Sequence, residues 1–377
     1  MNILVFSWRD PKHPLAGGAE QVMHEHMKGW IAAGHKVTLF SSKMKDLSSS
    51  ENLDGIRVVR RGYQYLGVQV AGFFYYLANR GKYDFLVDQF HGIPFFTPLF
   101  SSRPKLAVIQ EHAHEVWLKN PLPWPLNWAV GAIGYFFDPF VFLFYKRVPF
   151  MTGSASARAD LVKLSIAKEN IHVIPHGVIT PEMKIRYKKE RIPTIVYLGI
   201  LSKDKGIEDA IKCFKFLNQK GNYQFWVIGK PETGEYSKRI GDLVSSLGLA
   251  GQIKFWGGRD KVSDLKKFEL LGRSHVMVNP SIREGWGLVN IEANSVGTPI
   301  VAYRSPGLVD SVKEGVSGVF CKANTPQAMA ELIMSLFKDP RLLRRLASSA
   351  VSWSKNFDWQ KSKKMGLKLV ERVYDEN

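Results

Sequence analysis

Cysteine is nearly missing from this sequence. The 377 residues include two, Cys213 and Cys321, far apart and in no CxxC pair. That argues against a disulfide framework and a thiolate zinc site, and leaves two buried thiols as the expectation. Acidic residues are also short, 34 against 52 lysines and arginines, for a net charge of +18. The deficit points to an anionic partner: a phosphate-bearing substrate, an anionic membrane surface or nucleic acid. A merely solvated basic surface would look the same. Neither a helix-turn-helix nor an aromatic-basic β platform supports nucleic acid. No internal repeat or low-complexity tract interrupts the chain. Its start, Met1-Asn2-Ile3-Leu4-Val5-Phe6, reads as a strand with no basic n-region or cleavage site, so a cytoplasmic protein is expected.

What is present is a repeated strand–helix rhythm. Apolar strands are expected at Ile3–Phe6, Lys36–Phe40, Ile56–Arg60, Phe85–Val87, Leu106–Gln110 and Phe150–Thr152, with amphipathic helices between them. The first of these helices should end near Ala33, where Gly34 stops it. The rhythm restarts at Thr194–Leu198, Gln224–Ile228, Ile253–Trp256, Val276–Val278 and Pro299–Ala302. The chain is too long for one ordinary core. It reads as α/β, with two Rossmann-like doubly wound domains: 1–178, and 179–357, with a final helix over 358–377 packing back on the first. Charged residues 184–191 suit an interdomain linker. In such sheets ligands bind beyond the carboxyl ends of the strands, so the loops after each strand carry the search.

The strongest pattern runs from Pro280 to Ala293, after a strand and into a helix. Gly285 and Gly287 allow backbone to approach a ligand closely. The first helical turn, near Leu288 and Val289, offers N–H groups and a positive dipole end to a diphosphate. Glu284 precedes the helix, and Glu292 lies just over one turn inside it, where a carboxylate can accept from two vicinal hydroxyls. A plain pair of acids stabilising a helix start is the structural alternative. A second constellation, Tyr197 to Gly206, sets a turn at Gly199 and lysines 203 and 205 ahead of a helix. Lysine beside exposed amides suits a phosphate whose charge grows as it leaves. Solvated lysines are equally common at such places. A third, Gly17-Gly18-Ala19-Glu20, follows the first strand. It contains no GxGxxG, which argues against a dinucleotide dehydrogenase. His112 ends the fifth strand, where it could bind a donor hydroxyl or orient an acceptor. A metal reading of His112 with His114 lacks a third ligand at suitable spacing.

These motifs together resemble glycosyltransferase family 4, retaining enzymes of GT-B architecture. The spacing Glu284 to Glu292 around Gly285-Trp286-Gly287-Leu288 is similar to the family signature. Gly297 to Val301, and Glu314, Gly315 and Gly318, are similar to its following segments. The resemblance implies two domains facing across a cleft and a donor held mainly by the second. Glu292 would hold the nucleotide ribose and Glu284 the donor sugar. Trp286 and the backbone of Gly287, Leu288 and Val289 would lie along the sugar diphosphate. Gly199, Lys205 and Gly18 would close on the phosphates, and His112 would serve the first domain. His112, Glu284 and Lys205 are thus the catalytic candidates. Ile200 stands where the family usually has arginine, and Lys203 is near enough in sequence to replace it. Ala113, His176, Pro306 and Asp310 are further departures. The implied reaction moves a hexose or related sugar from a UDP- or GDP-linked donor to an acceptor hydroxyl, with no metal and no other cofactor.

Residues 121–150 need separate reading. Leu126 to Tyr145 is long enough to tempt a membrane span. Asp138-Pro139 should break it, and an unpaired aspartate there costs ~3 kcal/mol on insertion scales. The run also lies between two strands of one sheet. It is either core helix from Phe140 to Arg147, or an interfacial segment in which Trp124, Trp128, Phe136 and Phe137 enter lipid beside basic headgroup contacts. The second reading makes the acceptor a lipid-linked or membrane-associated glycan, with the protein peripheral on the inner face of the cell membrane. The rivals are an epimerase or phosphorylase of the same architecture, and a non-catalytic basic module binding membrane or nucleic acid.

Overall fold

In a computed structural model, residues 1–14, 16–64, 67–112, 114, 117, 124–178, 187–257 and 262–376 are described. Ala113, Pro121 to Pro123 and positions 184–186 of the expected linker lie outside them. Two units form, one from Met1–Gly177 with Trp359–Asn377, the other from Val178–Asp358.

The first unit is built on β1 (Asn2–Phe6), β2 (Lys36–Ser41), β3 (Ser50–Leu53), β4 (Ile56–Arg60), β5 (Phe85–Gln89), β6 (Lys105–Val108), β7 (Phe150–Thr152) and β8 (Ile171–Val173). Their order is β3-β4-β2-β1-β5-β6-β7-β8, parallel except for the antiparallel β3–β4 pair. Strand alternation sends Ile3 and Val5 to one face and Leu4 and Phe6 to the other. On the first face lie Met23, Met27 and Trp30 of α1 (Gly18–Ala32), and Leu369, Val370 and Val373 of the last helix, Trp359–Asp375. On the other lie Val68, Tyr75 and Tyr76 of α2 (Gly67–Asn79). Gly34, at φ 89°, follows α1 and turns the chain toward β2.

β6 and β7 are adjacent, and the crossover between them holds α3 (Leu126–Val141), followed by a 3₁₀ turn over Phe142–Tyr145. The sequence predicts a break at Asp138-Pro139, and the structure corrects this: the helix runs through both. Proline cannot donate to the carbonyl four residues back, that of Tyr135. His114 supplies the missing donor, its Nε2 lying 2.6 Å from Tyr135 O while its ring stacks on the tyrosine at 3.8 Å. The expected core helix over Phe140 to Arg147 is met in part: Phe142 and Tyr145 are buried with Phe90 and Phe150, while Phe140 and Phe144 are exposed. α4 (Ala155–Lys163) follows, capped by Ser154 Oγ.

The second unit contains β9 (Thr194–Leu198), α5 (Ile207–Asn218), β10 (Gln224–Ile228), α6 (Gly234–Ser246), β11 (Ile253–Trp256), α7 (Asp264–Arg273), β12 (Val276–Asn279), α8 (Leu288–Ser295), β13 (Ile300–Ala302), α9 (Leu308–Ser311), β14 (Gly318–Phe320), α10 (Pro326–Lys338) and α11 (Pro340–Ser354). The closing helix of the first unit is α12 (Trp359–Asp375). The sheet order is β11-β10-β9-β12-β13-β14, all parallel. Ile195 and Tyr197 face α5 and α10, while Val196 faces α7. The charged stretch after residue 186 is not a free linker. Lys189 Nζ donates to the carbonyls of Ser274 and Gly297 and to Thr298 Oγ1, and Glu190 pairs with Arg273. Burial pushes the Lys189 ammonium down to about 8. A scarcity of apolar side chains did not signal looseness here, because the anchor is polar.

Candidate active site

In the second unit strand order reverses at β9, which lies between β10 and β12. The crevice beyond the carboxyl ends at such a point is where open α/β sheets take ligands. The loops flanking it are those after β9 and β12, which carry the lysine and glutamate motifs.

Backbone joins the two loops. Ile282 N donates to Asp204 O at 2.9 Å. Gly206, at φ 73°, caps α5, and a Cβ there would lie 2.2 Å from Pro280 O. Both constraints require glycine. Lys205 Nζ then reaches Glu284 Oε2 at 2.9 Å, while Ser281 Oγ donates to Glu284 Oε1 at 3.0 Å. Lys205 and Glu284 are each largely shielded, with side chains 23% and 17% exposed. The far side of Glu284 rests on the loop before α9: its N–H donates to Pro306 O, and a Cβ on Gly307 would lie 2.0 Å from Glu284 O.

Gly287 is left-handed at φ 84° and starts α8, anchored by Asn290, which bonds to Asn279 and Ser311. Glu292, one turn in, meets Lys267 Nζ of α7 at 2.8 Å. Burial opposes charge on Lys267, but Glu292 and Asp264 outweigh it and hold the ammonium above its usual range. Sequence reading missed Ser281 and Lys267; the only signal for Lys267 was its place on a helix beside β12. The indole of Trp286 is buried with Val178, Ile291 and Phe357, and its backbone precedes the left-handed Gly287 at the start of α8. Leu288 and Val289 likewise send their side chains into packing. Gly199 N donates to Ile228 O, Lys203 is exposed and Ile200 is 44% exposed.

In the first unit strand order reverses at β1, between β2 and β5. Gly18 begins α1 there, and Glu20 is buried, its Oε2 accepting from Gly17 N at 2.7 Å. Arg9 and His91 flank the same carboxylate at 3.9 and 3.6 Å. His112, four residues past β6, pairs through Nε2 with Asp138 Oδ2 at 2.5 Å, and Trp117 Nε1 donates to Asp138 Oδ1 at 2.8 Å. Burial would raise the Asp138 carboxyl, but these bonds outweigh it and hold it below the usual range. No group of three histidine, cysteine, aspartate or glutamate side chains that could hold a metal occurs among the described residues.

α3 and Trp124, just before it, present aromatic residues outward. Trp124 is 83% exposed, Trp128 72%, Phe136 66% and Phe137 54%. Leu126–Tyr145 is long and apolar enough, by length and composition, to cross a membrane. Arg80, Lys82, Arg103, Lys146 and Arg147 are exposed in the same unit, while among the described residues of 67–150 no carboxylate is exposed.

The family model described as Glycosyltransferase Family 4 matches residues 16–181, and the one described as Glycosyl transferases group 1 matches residues 179–353. A D-inositol 3-phosphate glycosyltransferase of Streptomyces bingchenggensis (strain BCW-1) is 33% identical over 138 residues, 36% of this chain and 30% of that protein. The chain thus aligns with under a third of that relative's length. Sucrose-phosphate synthase from Thermosynechococcus elongatus superposes with a TM-score of 0.80 at 19% identity, covering 100% of both chains. Anabaena Alr3699/HepE in complex with UDP-glucose does so with 0.72 at 17%, covering 99% of this chain and 100% of that one. These two are likenesses of fold, which is the GT-B type with two Rossmann-like domains. The two matched stretches adjoin and between them span residues 16–353, and the chain belongs to glycosyltransferase family 4.

Proposed function

We propose that this protein is a retaining glycosyltransferase that moves a hexose from a UDP- or GDP-linked donor to a hydroxyl of a lipid-linked or membrane-associated acceptor. One observation carries the reading: Lys205 and Glu284 meet at 2.9 Å on the two loops flanking the strand reversal, with Glu292 one turn into the adjoining helix. The ion pair holds the ammonium at the crevice before a donor arrives. The diphosphate takes Lys205 and the N-terminal turn of α8, Glu292 takes the ribose hydroxyls, and Glu284 takes the sugar. The bond from the anomeric carbon to the phosphate oxygen breaks as the acceptor oxygen bonds on the same face. The departing phosphate oxygen accepts the acceptor's proton, and Lys205 stabilises the charge that remains. No metal enters this scheme. The Anabaena neighbour, which holds UDP-glucose, lends support to a nucleotide-sugar donor.

The membrane side of the reading rests on α3. An apolar helix face with exposed tryptophan, followed by exposed Lys146 and Arg147 and with no exposed acid among the described residues of 67–150, suits the interface of an anionic bilayer. The protein then sits peripherally on the inner face of the cell membrane. An epimerase would act without an acceptor, and a non-catalytic module would release no nucleotide. The test measures nucleoside diphosphate released from UDP-glucose and GDP-mannose, with and without phosphatidylglycerol vesicles. Glu292→Ala and Lys205→Ala should each lower turnover by about 10²-fold or more. Wild-type turnover in both variants would refute the site.

A further inference from the structure

α3 has an inverted pattern. Its buried positions are Gly131, Gly134 and Asp138, while its large aromatics lie outside. A helix normally attaches to its domain through the apolar stripe; here the inward face offers two glycines and a carboxylate. The glycines have a reason. A Cβ at Gly134 would lie 1.9 Å from Trp117 Cε3, so the indole lies flat against the helix and delivers Nε1–H to Asp138 one turn on. The second carboxylate oxygen takes His112 Nε2. Phe142 and His114 border the imidazole at ring-centroid distances of 5.4 and 5.6 Å.

We propose that Asp138 is a positioning residue for His112, and that it ties the orientation of that imidazole to the helix that meets lipid. The inference rests on the proposed function together with the reading of His112 as the residue that orients the acceptor. The carboxylate can only accept, so Nε2 carries the ring proton and Nδ1 is the nitrogen that accepts from a hydroxyl of the acceptor other than the one that reacts, whose proton goes to the departing phosphate. A shift of α3 on the bilayer moves Asp138, and with it the ring. His114, bonded to Tyr135 O on the same helix, follows the same movement.

The test uses the full chain labelled with ¹⁵N-histidine, His112 being assigned by its loss in His112→Gln. In the wild type the neutral ring of His112 should show one tautomer, protonated at Nε2. Asp138→Asn should collapse it to an averaged mixture, whereas Trp117→Phe, which loosens the helix but spares the His112 partner, should keep it. Nδ1 protonation in the wild type, or unchanged shifts in Asp138→Asn, overturns the proposal. In UDP release from UDP-glucose over phosphatidylglycerol vesicles, Asp138→Asn should lose about 10- to 100-fold in kcat at constant KM. The double variant with His112→Ala should be no slower than His112→Ala alone; multiplied losses overturn the proposal. Absent nucleotide release in the wild type would count against the parent function, and the nitrogen shifts would still decide this inference.

Discussion

Three histidines of the first unit are buried in neutral form, and acid should unfold it through them. His26 of α1 is 1% exposed, its ring against Trp359 and Gly366, and neither ring nitrogen has a hydrogen-bond partner among the described residues. Burial pushes His26 down to about 4, His176 to about 3 and His91 to about 4, from an ordinary 6.5. The unfolded chain protonates all three below pH 6.5 while the folded unit protonates none until near pH 4. Stability is therefore full above pH 6.5 and is lost as pH falls toward 4. Each histidine contributes a slope of ~1.4 kcal/mol per pH unit, so the three together give ~4 kcal/mol between pH 6 and 5. His26 alone accounts for about 3 kcal/mol over its window. Native-state hydrogen exchange of the β1, β2 and β5 amides at pH 7.0, 6.0 and 5.0 measures the slope. His26→Leu should reduce it by ~1.4 kcal/mol per pH unit. An equal slope in wild type and His26→Leu would refute the reasoning.

Other outcomes follow from the same geometry. Gly206→Ala must place a side chain at φ 73° and against Pro280 O, and should destabilise the second unit by ~2 kcal/mol or more while weakening donor turnover; Gly34→Ala, left-handed but in open space, should cost only ~1 kcal/mol in urea unfolding. Trp128→Ser with Phe136→Ser should lower partition onto phosphatidylglycerol vesicles by about tenfold or more, and 0.5 M salt, as a rough choice well beyond full screening, should weaken the wild type too; unchanged sedimentation in both tests counts against lipid docking. EDTA should leave nucleotide release within about twofold of untreated enzyme, since the proposed charge stabilisation comes from Lys205 and helix amides. A deep loss restored by Mg²⁺ would contradict it.

The sequence announced the interior of both sheets. Ile3–Phe6, Thr194–Leu198 and Gln224–Ile228 are buried strands with apolar runs, and helix-period segments separate them. It was silent on β3, β8 and β14. All three are edge strands, paired on one side, where a short or polar segment such as Ser50–Leu53 suffices. The continuity of α3 was illegible for a different reason: what Pro139 does depends on His114, supplied from outside the helix. The motif loops could be found by their glycines, yet their meeting depends on β9 and β12 being neighbours, a property of topology. Nothing local to Lys267 or Asp138 names its partner. Each matters through a partner about 25 residues away in the chain, a distance at which spacing arguments have no force. Trp286 shows the opposite hazard, a conspicuous residue in a motif whose ring serves packing.

The return of α12 to the first unit has a consequence for biosynthesis. Leu369, Val370 and Val373 complete the layer over β1, β2 and β5, though some 180 residues of the other unit are made in between. At ordinary ribosomal speed of ~5–20 residues per second, that sheet waits on the order of ten seconds or more with one flank bare. The inserted unit can mature first, and the opening half of the polypeptide matures last, an inversion of the usual vectorial order that leaves nascent chains dependent on whatever shields Ile3, Val5 and Trp30 meanwhile.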